Sequence, residues 1–478
     1  MACKSFEREL HDRVNQSTPY GPLIVQQEAT TLGGESLVVD FLNPHAWLYH
    51  ACDTIPRYAK FMARHCTETL SAVFYDDETK PGNVLRPDLA RSFVGIYWIV
   101  KEFPERVRNK QAFWIPIVYL KSKDLKLVKG GISALYVQIF DLFWGDLNLE
   151  HGVLLPGFRI QLKFGFFLHD GKANKETFGV KGAGGLKCCM ACLNCGNFKA
   201  NSRGKEMLVH YKDPDMSLFV RHTCASFSAL VDELVAARPH MTKTEFQALG
   251  KSAGINLDEC VLARSHHRER AQVPMSAYPD WFHNLLASGG VFQYQLNSFI
   301  WELYTVNIDP ADLDQFAANI DWHAKPKLSA KFFQDRTQKA GRHIKAFASE
   351  VISAIEALHL FVLVALPNGV LPDHVKLFLL MVDIVHVLSL GDLAIHFATE
   401  LDNALAEHHA LFIKLYATCA KPKIHWNRHV VDAMLRHGVN MSCGAPERLH
   451  RFTKDVSKRI YNSFANLLLR QVVAVRIR

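Results

Sequence analysis

The chain has 478 residues, 49% hydrophobic and 21% charged, which supports a sizeable core and excludes a disordered chain, a collagen, a coiled coil or a disulfide miniprotein. At roughly 150 residues per domain the length allows about three domains, or one core with a large insertion. The net charge of +8 is local, because 13 Lys/Arg and 3 Asp/Glu lie between Lys414 and Arg478, leaving 42 basic against 44 acidic residues elsewhere.

The stretch from Met1 to Leu10 is charged from the start and has no apolar core, so no signal peptide is expected. Eleven cysteines, with Cys188 and Cys189 adjacent, suit thiols or metal ligands in a reducing compartment better than a disulfide framework. Strand-forming runs dense in β-branched and aromatic residues follow at Leu70 to Tyr75, Ser92 to Val100, Ala112 to Leu120 and Arg159 to Leu168. Gly82-Asn83 and Gly130-Gly131 supply turns, and Ile132 to Trp144 keeps a helical apolar spacing between the third and fourth strands. The expected order is β-β-β-α-β, a mixed α/β core.

Beyond Gly196 the pattern turns helical, over Phe227 to Ala237, Thr242 to Ala253, Asp258 to His266, Asp280 to Val306, Ala330 to Leu366 and Leu371 to Leu415. The most apolar stretch, Ala357 to Leu390, is interrupted by Pro367-Asn368-Gly369 and Pro372-Asp373. It reads as two buried helices and not as a membrane span. The basic tail suits an anionic partner such as a nucleic-acid backbone; a solvated basic helix accounts for it as well.

Two strands run into acids, Asp76-Asp77-Glu78 and His169-Asp170. Carboxylates beyond the ends of central strands lie where α/β folds bind ligands, and a pair of them suits Mg²⁺; turn chemistry explains each acid singly. Cys189-x-x-Cys192 and Cys192-x-x-Cys195 have zinc-knuckle spacing, but one knuckle is half of a tetrahedral site. Three completions are open: His210, His222 with Cys224, or His425-x-x-x-His429, whose two imidazoles share a helical face. Glu447 then heads a helix on which Arg448, Arg451, Lys454 and Lys458 share a broad face, fitting a metal ligand beside a phosphate backbone. Asp280 and His283 stand one helical turn apart, a spacing that suits a local hydrogen bond.

This collinear set resembles the DDE transposases of the CACTA, Plavaka and KDZ group and the related recombinase of vertebrate antigen-receptor rearrangement. Local wording is similar to Plavaka-like members at Phe74-Tyr-Asp-Asp77 with Pro81-Gly-Asn83, at Tyr97 to Pro104, at Phe178-Gly-Val-Lys-Gly182, at Pro422-Lys-Ile-His425 and at Glu447-Arg-Leu-His-Arg451-x-x-Lys454. The resemblance runs in order over about residues 15 to 460. It implies an RNase H-like α/β (α+β) core interrupted by a large all-helical insertion, with a basic C-terminal helix. The implied division is an N-terminal extension over 1–66, the first part of the core with Cys-x-x-Cys over 67–195, the insertion over 196–424, and the closing catalytic helix over 425–478. Asp77, with Asp76 as the alternative, Asp170 and Glu447 are implied as ligands of two Mg²⁺ or Mn²⁺. Cys189, Cys192, His425 and His429 are implied as a structural Zn²⁺ site, and Asp280 with His283 as a family signature near the active site.

The activity implied is metal-dependent cleavage and strand transfer on double-stranded DNA, in the nucleus, by a homodimer or higher oligomer, with no membrane association and with Arg448, Arg451, Lys454 and Lys458 on the DNA. Nothing before Asp40 has the cysteines or basic helix of the N-terminal DNA-binding module such transposases carry. The alternatives are therefore a truncated or inactive copy, a zinc-stabilised DNA-binding derivative without catalysis, or a helical protein-interaction module.

Overall fold

A computed structural model describes residues 17–66, 68–81, 91–197, 208–322, 327–457, 469, 470 and 472. The chain divides into two compact units: Met1–Val180 with Thr223–Tyr278 and Cys443–Arg478, and Lys181–His222 with Pro279–Ser442. These boundaries differ from the expected division. The segment before Tyr278 belongs with the first unit because it ends in a strand of that unit's sheet, and the cysteine loop belongs with the helices of the second.

In the first unit, an antiparallel hairpin, β1 (Ile24–Thr30) and β2 (Ser36–Leu42), leads into helices Pro44–Thr54 and Pro56–His65. The five-stranded sheet uses β3 (Leu70–Thr79), β4 (Phe93–Val100), β5 (Ile115–Lys121), β6 (Leu162–His169) and β7 (Ala277–Pro279). Their spatial order is β7-β6-β3-β4-β5. β3, β4 and β5 are antiparallel neighbours, and β6 lies parallel to β3. Helix Gly131–Trp144 precedes β6, so within this sheet the β-β-β-α-β order expected from the residues is observed, although a separate short hairpin, Val153–Leu155 with Phe158–Ile160, intervenes and takes the start of the expected strand Arg159 to Leu168. Pro116 is tolerated because β5 is an edge strand.

Two local expectations change. Asp76, Asp77 and Glu78 lie inside β3 and not past its end, because β4 continues to pair with them, Asp77 against Gly95. The three-residue β7, inside a region expected to be helical, completes the sheet beside β6, where Phe167 N–H donates to Ser276 O at 2.8 Å.

The two sheet faces are unlike. Phe74 packs with Tyr136, Phe140 and Phe143 of the helix and with Phe164 and Phe167 of β6, ring centroids 5.2–6.2 Å apart. Tyr75 faces the other way, against Tyr97 and Trp114. Phe164 and Phe167 share a face despite their odd spacing because β6 shifts register between Phe164 and Phe166, leaving Gly165 as the extra residue. A Cβ on Gly165 would meet Ala72 O at 2.9 Å, a backbone atom that cannot yield cheaply. Gly165→Ala is therefore expected to cost about 1–3 kcal/mol, as overpacking does, measured by urea unfolding; an unchanged midpoint would show that the bulge relaxes freely.

The second unit is largely helical: Val291–Thr305, Pro310–Ala318, Ala348–Val364, Pro372–Ser389, Ala398–Tyr416 and Val430–His437, with shorter elements between. Phe299 stacks on Phe378 with centroids 4.8 Å apart, and Gln295 is held by Leu377 O and the His408 ring. The long runs expected here are broken: Asp280 to Val306 at Gly289-Gly290, Ala330 to Leu366 between Arg336 and Ala348, and Leu371 to Leu415 at Gly391. In the first unit, Asp258 to His266 carries only the 3-10 turn Leu262–Arg264. Among the described residues no helix is long and apolar enough to cross a membrane.

Candidate metal centre and acidic strand ends

In the second unit the Cys189-x-x-Cys192 loop meets a helical run through Lys423–Trp426 and Asn427–His429. The loop is closed by Cys188 N–H donating to Cys195 O at 3.1 Å, and Trp426 Nε1 donates to Cys188 O at 2.9 Å, fixing the helix against it. Cys189 Sγ stands 3.3 Å from His429 Nε2, and Cys192 Sγ 3.4 Å from His425 Nε2 and 3.5 Å from His429 Nε2. The two Nε2 atoms are 3.2 Å apart, and all four residues are buried.

These spacings can be tested against an ion. With bonds of about 2.3 Å to sulfur and about 2.0–2.1 Å to nitrogen, tetrahedral zinc sets S and N roughly 3.5 Å apart and two N atoms roughly 3.3 Å apart. The cage matches both, so these four residues could hold a metal ion such as zinc. Burial opposes ionisation of Cys189, but its hydrogen bond with Cys192 and the His425 ring outweigh it and hold this thiol well below its ordinary value. The same bond and burial push Cys192 up, so the two thiols move in opposite directions.

Of the three completions open in the sequence, the distant one closes. His210 instead stacks on Tyr211 and accepts from Lys212 N–H, while Cys195 turns to Cys188, their Sγ atoms 3.7 Å apart. Burial and Lys187 hold the His222 ring down at about 4, outside the cage. Arg221, which spacing does not single out, lies against His429 Nδ1 and donates to Asp432 at 2.6 Å. Asp280 and His283 make the expected local bond, 2.5 Å from Oδ2 to Nδ1, while Asp280 Oδ1 caps helix Trp281–Leu285. Lys423 Nζ donates to His283 O at 2.8 Å, tying this pair to the helix that carries His425.

In the first unit, the parallel register sets Phe167 of β6 beside Phe74 of β3, and from there the chain runs on to His169-Asp170 on one side and Asp76-Asp77 on the other. His169 correspondingly stands beside Asp76, its Nε2 2.6 Å from Asp76 Oδ1. Burial and the Asp76 carboxylate push the Tyr136 phenol well up, so its hydroxyl stays protonated and donates to Asp76 at 2.7 Å. Asp76 is thus enclosed on the helix-covered face, while Asp77 shares the opposite face with Tyr75. Tyr75 donates to Glu447 Oε1 at 3.1 Å across 372 residues of sequence, bringing helix Gly444–Ser457 to that face. Tyr75 and Asp77, two residues apart, are roughly 6.7 Å apart along the strand.

Asp170 caps helix Gly171–Phe178 through Oδ1 on Ala173 N–H at 2.7 Å. Burial raises Glu176, with Asp76, Glu78 and Asp170 adding to the rise against Lys172, so several carboxylates share this end of the sheet. Their hard oxygens suit Mg²⁺. Asp77, Asp170 and Glu447 are not among the groups whose ligand atoms all lie within 4.8 Å of one another, so they make no single-ion cage. Two ions about 3.5–4 Å apart span a wider set. Arg448 donates to Asn109 O at 2.6 Å, an intramolecular contact not expected of it. Lys454 is half-buried; the Arg451 side chain and all of Lys458 lie outside the described residues.

In comparisons with known proteins, no family model matches the chain and no curated protein matches it.

Proposed function

We propose that the chain is a transposase-type, metal-dependent DNA strand-transferring protein, with an RNase H-like core and an Asp77/Asp170/Glu447 triad. Support comes above all from the strand arrangement: Asp170 directly follows β6, whose last residue His169 contacts Asp76 next to Asp77, and Tyr75 ties Glu447 to the strand that carries Asp77. The sheet order, with three antiparallel strands and a fourth parallel to the first, agrees with such a core. Mg²⁺ or Mn²⁺ ions bound there would supply activation of a water or a 3′-hydroxyl and charge stabilisation for in-line displacement. The chain's own part is to fix the acids: Tyr136 and His169 clamp Asp76, Ala173 N–H orients Asp170, and Tyr75 orients Glu447. Double-stranded DNA, a nuclear setting and an oligomer of this chain follow from the same proposal, as does zinc in the Cys/His cage.

The test is cleavage and joining of DNA with Mg²⁺ or Mn²⁺ by the parent and by Asp170→Asn. Activity in the parent that is lost in the variant, with DNA binding kept, supports the proposal. Equal activity removes Asp170 from the mechanism, and binding without activity in the parent favours the non-catalytic derivative.

A further inference from the structure

His266 and His267 are consecutive residues of a turn, yet both direct Nε2 onto one oxygen, Asp141 Oδ1, at 2.9 and 2.8 Å. Their ring centroids are only 4.0 Å apart. The turn is fixed along helix Gly131–Trp144 at three heights. Leu262 N–H donates to Ser133 Oγ at 2.9 Å, the His267 ring meets the Phe140 ring edge to face, and the Arg270 guanidinium lies over Trp144. His267 is buried, whereas the His266 and Asp141 side chains are 68% and 42% exposed, so the cluster has a rigid inner wall and an open outer side.

We propose that Asp141, His266 and His267 form a second metal site, separate from the Cys/His cage, for a divalent first-row transition ion with solvent in its remaining positions. Two imidazole nitrogens and one carboxylate oxygen are a borderline donor set suited to such ions. The three ligand atoms all lie within 4.8 Å of one another. Metal–ligand bonds of about 2.0–2.2 Å meeting at a right angle set neighbouring donors about 2.9 Å apart, the separation found here between oxygen and each nitrogen. Three donors from the chain leave the remaining positions of such an ion to solvent on the open outer side. Rigid anchoring lowers the ordering cost of binding.

Two hydrogen bonds to Asp141 are the simpler use of the same atoms, and the site must compete with them. Binding moves each ring proton from Nε2 to Nδ1. For His267 this displaces the 3.3 Å contact from Arg270, which keeps Glu150 at 3.2 Å.

The experiment uses the full chain, zinc-loaded and held in millimolar Mg²⁺, titrated with Co²⁺ by equilibrium dialysis. The parent is expected to take up one Co²⁺ per chain, with the weak visible absorption of an N/O site and no thiolate charge-transfer band. His266→Ala, at an exposed position that leaves the core intact, should lose that equivalent or bind it at least tenfold more weakly, and Asp141→Asn should do the same. No uptake by the parent, or equal uptake by parent and both variants, overturns the proposal.

Discussion

Asp77→Asn is expected to abolish metal-dependent strand cleavage, a loss of roughly 10³-fold or more as for other residues that act as one catalytic unit, while leaving stability nearly unchanged. The asparagine keeps an oxygen for the Glu78 N–H that Asp77 Oδ1 accepts at 2.6 Å, and the attraction it loses is to the Lys172 side chain, which is 52% exposed and retains Glu78, a contribution of about 0–1 kcal/mol. The charge alone is removed, and with it an oxygen donor for Mg²⁺. Asp76→Ala should show the reverse emphasis. Tyr136 can still reach His169 Nε2 at 3.2 Å, so one buried donor loses its acceptor, costing about 1–3 kcal/mol, read from urea unfolding. An Asp76→Asn protein that is inactive beside an active Asp77→Asn protein would transfer the first metal ligand to Asp76. If both cleave like the parent, neither acid belongs to the mechanism.

That choice between neighbours shows what a sequence of this kind carries. The strands were legible because Leu70 to Tyr75 and Ser92 to Val100 are dense in residues that pack on a pleated surface, and the acids were legible as candidates because they follow such runs. Which acid faces which way was not. For Asp76 and Asp77 it depends on which face of β3 the helix Gly131–Trp144 covers, and for His169 it depends on the one-residue bulge at Gly165, which exchanges the two faces of β6 for the residues after it; nothing in the alternation of Lys163-Phe-Gly-Phe-Phe-Leu168 announces it. β7 was hidden for a different reason: three residues between helical patterns carry no periodicity, and pairing with β6 alone makes them a strand. The helix breaks at Gly289-Gly290 and Gly391 were written in the sequence and were outweighed by the apolar spacing on either side.

The Cys/His cage sits between these extremes. Each half was legible from its own spacing, but spacing within a segment says nothing of which segments meet, and three completions stayed open until Cys189 and Cys192 were found 3.3–3.5 Å from the His425 and His429 nitrogens. Arg221 and Asp432 could not have been chosen, because a partner of His429 Nδ1 is defined by the bend of the chain before Thr223 and by no motif.

Removing metal from that cage, by chelator or by the double substitution His425→Ala with His429→Ala, is expected to unfold much of the second unit. Structural zinc in small domains contributes on the order of 10 kcal/mol or more at neutral pH, against a typical domain stability of about 5–15 kcal/mol, so its loss consumes most of the margin. Without an ion, two Nε2 atoms stay 3.2 Å apart beside two buried thiols. Acid should act in the same direction, since thiolate and imidazole ligands exchange metal for protons as pH falls. Zinc content followed with far-ultraviolet circular dichroism reads both effects: metal and helicity should fall together. A double variant that keeps one zinc per chain would return the metal to a local cysteine site with His210, and an unchanged melt in chelator would make the four residues a hydrogen-bonded cluster of the core.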